Sequence, residues 1–168
     1  MKTNKKALII IVALLCAALV IGVIFMFGIK NPFNYQKPET KIKSITSLES
    51  FNLHLSGMRI TEEYEIVCEG DKATVSHYVM NYSTGEQKRE LESSATLETQ
   101  AVLDKLDELG VASWNGFHGE HPKGVLDGTM FNLTAYVNGG QKLYADGSQN
   151  FPKHFHELEE WFYEVLRD

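Results

Sequence analysis

Between Ala7 and Ile29 the chain runs for 23 residues without one charged or strongly polar side chain, and this run limits the possible folds more than any other feature. At 1.5 Å of rise per residue, a helix of that length covers the roughly 30 Å hydrocarbon core of a bilayer. Lys2, Lys5 and Lys6 precede it, as in a secretory signal. A cleaved signal has an apolar region of only about 7–15 residues, however. Cutting beside the small pair Ala17-Ala18 would leave Leu19 to Ile29 as a greasy new N-terminus. The expectation is a retained signal-anchor helix. Leu15 stands before Cys16 where a lipidated cysteine needs a small residue, so Cys16 reads as a small apolar side chain within the span.

Lys30, Lys37, Lys41 and Lys43 beyond the span outnumber the three lysines before it. Lys5 and Lys6 nevertheless abut the helix, and long domains cross largely regardless of nearby charge. The predicted order is therefore a basic cytoplasmic tail, 1–6, a transmembrane helix, 7–29, a Pro-containing spacer, 30–47, and an extracytoplasmic domain, 48–168. The charge divides at the same boundary. The spacer has four Lys and one Glu, net +3, whereas 48–168 has six Lys and three Arg against 21 acids, net −12.

A 168-residue chain with a membrane segment has room for one ordinary domain. Its 43% apolar content is too high for a disordered chain, and two cysteines are too few for a disulfide scaffold or a four-thiolate zinc site. The acidic balance excludes a nucleic-acid binder, which needs Lys and Arg on the contacting face. Cys68 is alone in the soluble part and shares a strand face with Tyr64 and Ile66, which reads as a buried, inert thiol.

Periodicity supplies the elements. Phe51, Leu53 and Leu55 alternate, and so do Tyr64, Ile66 and Cys68. Glu69-Gly70-Asp71-Lys72 is a turn leading into a strand over 73–80, and Ser83-Thr84-Gly85-Glu86 is a second turn leading into a charged edge strand over 87–93. Thr96 is expected to cap a helix from Leu97 to Leu109, with Val102, Leu103, Leu106 and Leu109 as its apolar stripe and Gly110 as its stop. Strands over 129–137 and 141–146 flank Asn138-Gly139-Gly140. A second helix opens at Pro152, capped by Ser148 or Asn150, with Phe151, Phe155, Leu158, Phe162 and Val165 on one face. The order β-β-β-β-α-β-β-α predicts an α+β fold, an antiparallel twisted sheet of five or six strands with both helices on one face.

The stretch 114–128, WNGFHGEHPKGVLDG, is about as long as a link within a compact domain becomes, and such links often carry function. Its candidate partner-binding residues are Trp114, Phe117, His118, Glu120 and His121. The competing reading tucks Trp114 and Phe117 into the core and leaves a wet surface excursion. His118 and His121 have a metal-like spacing with Glu120 between them, but neither zinc-finger cysteines nor an H-E-x-x-H helix accompanies them. His156-Glu157 opens such a motif and ends it wrongly, with Glu160 in the position of the second His. Gly119 and Gly124 have the spacing of a phosphate loop without its Lys and Ser/Thr. No metal, cofactor or catalytic set is assigned.

Four segments, Trp114-Asn115-Gly116-Phe117, Val125-Leu126-Asp127-Gly128, Phe131-x-Leu133 and Asn150-Phe151-Pro152, give the region from Glu62 to Leu166 its likeness to other proteins. In these it resembles an uncharacterised group of small lipoproteins and membrane-anchored proteins of Gram-positive, clostridial-type bacteria. The resemblance implies an envelope location and carries no assigned activity or catalytic residues. With the tethered layout, it leads to the expectation of a non-enzymatic binding module whose partners, besides the membrane, are a basic protein or an envelope polymer. The alternative is a small envelope hydrolase using His and carboxylates of the 114–128 loop.

Overall fold

The computed structural model describes residues 41–58, 61–81 and 88–167, all within one of the two compact units of the chain, Lys37–Asp168. The predicted membrane span, the tail before it, most of the spacer and the turn at 83–86 lie outside the described residues. Among the described residues no helix is long and apolar enough to cross a membrane.

Seven strands form one sheet: β1 (Leu48–Ser56), β2 (Thr61–Glu69), β3 (Lys72–Asn81), β4 (Lys88–Glu98), β5 (His118–Gly119), β6 (Met130–Val137) and β7 (Gln141–Ser148). Their spatial order is β4-β3-β2-β1-β6-β7-β5. Every neighbouring pair is antiparallel except the two-residue β5, which runs parallel to β7, so the sheet is mixed and has one strand more than the upper expectation. Strand β5 carries too few residues for a period-2 pattern. Its place comes from tertiary hydrogen bonds, in which Gly116 N donates to Tyr144 O at 2.8 Å and Asp146 N to Phe117 O at 3.1 Å.

Helix α1 is Thr99–Glu108 and helix α2 is Phe155–Leu166. Thr96 and Leu97, expected to cap and open α1, instead extend β4 by pairing with Thr74 and Ala73. The helix begins where that pairing stops. Thr99 N donates to Asp71 O at 2.8 Å, and its hydroxyl donates to Gly70 O at 3.1 Å. Helix α2 likewise starts later than Pro152. His154 precedes it in a left-handed conformation without a capping side chain, so neither Ser148 nor Asn150 is its cap.

The sheet buries one face. Phe51, Leu53, Leu55, Ile66, Val75, Leu133 and Leu143 from the strands share a single core with Val102 and Leu106 of α1 and Phe155, Leu158 and Phe162 of α2. Cys68 packs against this core, and burial pushes its thiol above the ordinary value. Apolar packing also begins earlier than residue 48, because Ile42 and Ile45, placed by the sequence in the spacer, are buried in the same core. Asn138 holds this incoming segment. Its Oδ1 accepts from Thr46 N at 2.7 Å and from the Thr46 hydroxyl at 2.9 Å, while its Nδ2 donates to Ser44 O at 2.8 Å.

Two ends of the sheet are thereby defined. Leu48, Val137 and the turns at Gly70 and Gly139 lie where the incoming segment joins; Ser56, Met130 and Ser148 lie in register at the other end.

Candidate functional site

The remote end of the sheet is where the 114–128 stretch meets the outer, helix-free face. Parity along β7 turns Leu143, Ala145 and Gly147 inward and Lys142, Tyr144, Asp146 and Ser148 outward. One carboxyl, Asp146, and one hydroxyl, Ser148, thus stand two residues apart, and each meets a histidine. His118 Nδ1 donates to Asp146 Oδ2 at 2.8 Å; Asp146 Oδ1 is buried without a hydrogen-bond partner among the described residues.

The second histidine has its tautomer fixed by geometry. A carbonyl only accepts, so the 2.7 Å contact of His121 Nε2 with Val125 O puts the proton on Nε2. In the neutral ring Nδ1 then accepts from the Ser148 hydroxyl at 2.8 Å. His121 is therefore a strut between β7 and the tip of its own loop.

Backbone packing makes this approach possible. The Asn150 carbonyl lies against both Gly119 and Gly147; a Cβ would come within 2.1 Å of it at the first and 2.4 Å at the second. Only glycine permits both contacts. Gly119 thus serves strand packing, and the phosphate-loop spacing with Gly124 has no role here.

The five sequence candidates part company. Trp114 is only 2% exposed, its ring is 5.9 Å from that of Phe155, and its Nε1 donates to Lys153 O at 3.1 Å. It offers no surface to a partner, which removes it from the contact residues. Phe117 packs inward too, 6.2 Å from the ring of Phe131. His118, Glu120 and His121 are exposed. Among the described residues no group of three or more His, Cys, Asp or Glu is arranged to hold a metal. His156 instead bonds Glu159 at 2.7 Å on the helix surface.

Asp146 and Ser148 escaped the sequence reading because they lie 28 and 27 residues from their histidines. The outward parity of β7 was the one signal that could have found them. A second feature also went unseen. Leu126 is 96% exposed at the loop tip, and Val125 beside it is 38% exposed. Met130, 50% exposed, pairs with Ser148 on one side and Ser56 on the other, while Met58, two residues beyond Ser56, is 75% exposed. Gly57 packs on the Gly128 carbonyl and brings the two segments together. Scattered apolar residues are ordinary on a surface; here four from three segments lie at the same end of the sheet.

Elsewhere the outer face mixes exposed apolar side chains, Val67 and Tyr136, with paired polar ones. Arg89 lies 3.4 Å from the centre of the Tyr78 ring and donates to Glu63 at 3.0 Å and to Glu65 at 3.1 Å. On the inner face, Tyr64 stacks between His77 and Phe162, and its hydroxyl donates to Glu62 at 3.1 Å. Burial, then the Glu62 charge, raises the Tyr64 phenol above its ordinary value.

The class these features define is an α+β domain with one sheet face covered by helices and the other free of helices among the described residues. The chain matches no protein-family model, no curated protein and no solved structure.

Proposed function

We propose that the protein is a membrane-anchored, extracytoplasmic binding module of the cell envelope, held by the helix 7–29 and acting through contact rather than catalysis. One observation carries this reading: Asn138 clamps the incoming segment at one end of the sheet, and the exposed apolar side chains of Met58, Val125, Leu126 and Met130 lie at the other. A tether at one pole and a contact surface at the opposite pole suit a module that reaches a partner. The resemblance to small lipoproteins and membrane-anchored proteins agrees with an envelope location. A photoreactive residue at Met58, Tyr136 or Asp71 of the full chain in its own cells samples the remote end, the open face and the near end. Discrete protein or polymer adducts from one of these positions are expected. Adducts from none of them, or a domain reached only by protease supplied from the cytoplasmic side, would defeat the proposal.

The hydrolase alternative is favoured by one contact, the acceptance of the Ser148 proton by His121 Nδ1, which is how a general base meets a nucleophile. The adjacent Gln149 N–H, the nearest backbone donor in sequence, is already committed to Thr129 O at 2.9 Å and is not available to an oxyanion. Labelling of Ser148 by a fluorophosphonate, abolished by His121→Ala, would support hydrolysis; absence of labelling would leave His121 as a strut.

A further inference from the structure

Loop 120–128 displays its most exposed side chain by a mechanism that can be traced bond by bond. From Ser148 on β7, the hydroxyl donates to His121, and His121 donates to the Val125 carbonyl. That carbonyl belongs to the residue before Leu126. The loop is thus pinned to the outer face beside Met130 while Leu126 points into solvent at 96% exposure. An exposed leucine on a loose loop loses side-chain and backbone freedom when it binds; on a pinned loop much of that cost is met in advance.

From this arrangement we infer that Leu126, with Val125, Met130 and Met58, forms a docking tip for a polypeptide that presents apolar side chains among lysines or arginines. This deepens the binding-module reading and rests on it. The apolar part follows from the four side chains; methionines adapt to irregular partner surfaces, and an aliphatic knob fills a pocket. The basic part follows from charge. Within the loop Glu120 and Asp127 flank the tip against Lys123, Arg59 follows Met58, and residues 48–168 carry nine Lys and Arg against 21 acids. An acidic domain steers a cationic partner and repels an acidic one. Anionic lipid is disfavoured for the same reason.

The full chain provides its own reporters, since Met58 and Met130 lie at the tip and Met80 lies on β3 of the same sheet. With methyl-labelled methionine in zwitterionic nanodiscs, the protein is titrated with an amphipathic Leu/Lys helix peptide, with the same peptide carrying Glu for Lys, and with anionic vesicles. The Leu/Lys peptide is expected to shift Met58 and Met130 saturably and leave Met80 unmoved. Leu126→Ser should weaken that binding about tenfold or more with the melting temperature unchanged, as for a central contact residue. His121→Ala should weaken it with Leu126 still present, which a passive surface histidine would not do. Shifts at Met80 alone would overturn the docking tip while leaving a binding module elsewhere on the sheet. Equal response to both peptides, no response to either, or shifts with vesicles alone would also overturn it.

Discussion

The Trp114 indole donates its N–H to the backbone carbonyl of Lys153 at 3.1 Å, joining the end of a 3-10 turn to the residue pair that precedes α2. The ring is almost wholly buried, so replacing it removes both packing and a bond. Trp114→Ala is expected to cost about 3–5 kcal/mol by chemical denaturation, the usual range for a large aromatic lost from a core. Trp114→Phe should cost less, because it keeps most of the ring. If instead Trp114→Ala leaves stability unchanged and weakens partner capture, the residue is a contact after all.

Tyr64 makes stability fall in alkali. Its folded value is raised, whereas in the unfolded chain it ionises near pH 10. The stabilisation it gives is fully present below about pH 10 and is lost as pH rises towards the folded value, since only the unfolded state releases the proton at first. Ultraviolet titration should therefore find a phenol ionising above the ordinary tyrosine range that is missing from Tyr64→Phe, and Tyr64→Phe should flatten the alkaline fall in melting temperature. Identical titration curves in the late range for the wild type and Tyr64→Phe would contradict this.

Asn138 serves both a turn and a clamp, and two substitutions separate them. Its backbone is left-handed, φ 53°, and its side chain holds residues 44–47. Asn138→Gly preserves the turn and removes the side-chain bonds, for a loss of about 1–2 kcal/mol at ordinary hydrogen-bond values. Hydrogen exchange should then quicken at Thr46 and Ser47 while the β6–β7 strand amides stay protected. Unaltered exchange at those two amides would show that Ile42, Ile45 and the backbone bond from residue 138 N to Ser47 O hold the segment without the side chain.

Gly147 lies under the site. A methyl there would meet the Asn150 carbonyl at 2.4 Å and the Phe131 ring at 2.7 Å. Gly147→Ala is expected to cost about 1–3 kcal/mol as an overpacking change and to move residues 148–150, detaching the Ser148 hydroxyl from His121. The His121 ring resonances in a proton–nitrogen spectrum would report the loss of that bond. Full stability with unchanged resonances would mean the backbone yields more easily than close packing implies.

Much of this protein was legible in its residues because the relevant signals are local. The alternation of Phe51, Leu53 and Leu55, the 4-3-4 spacing of Phe151, Phe155, Leu158 and Phe162, and the turn at Asn138-Gly139-Gly140 each follow from side-chain direction or backbone sterics within a few residues. They determined an α+β domain of strands with two amphipathic helices. What they could not supply was pairing. Thr96 and Leu97 look like a helix start until β3 offers them ladder partners. The two-residue β5, the His121 strut and the exposed tip arise from groups 27 or more residues apart, meeting after the sheet has formed. Hydrophobic period is a property of one segment; a site is a property of several, and only the tertiary structure brings them to the same place.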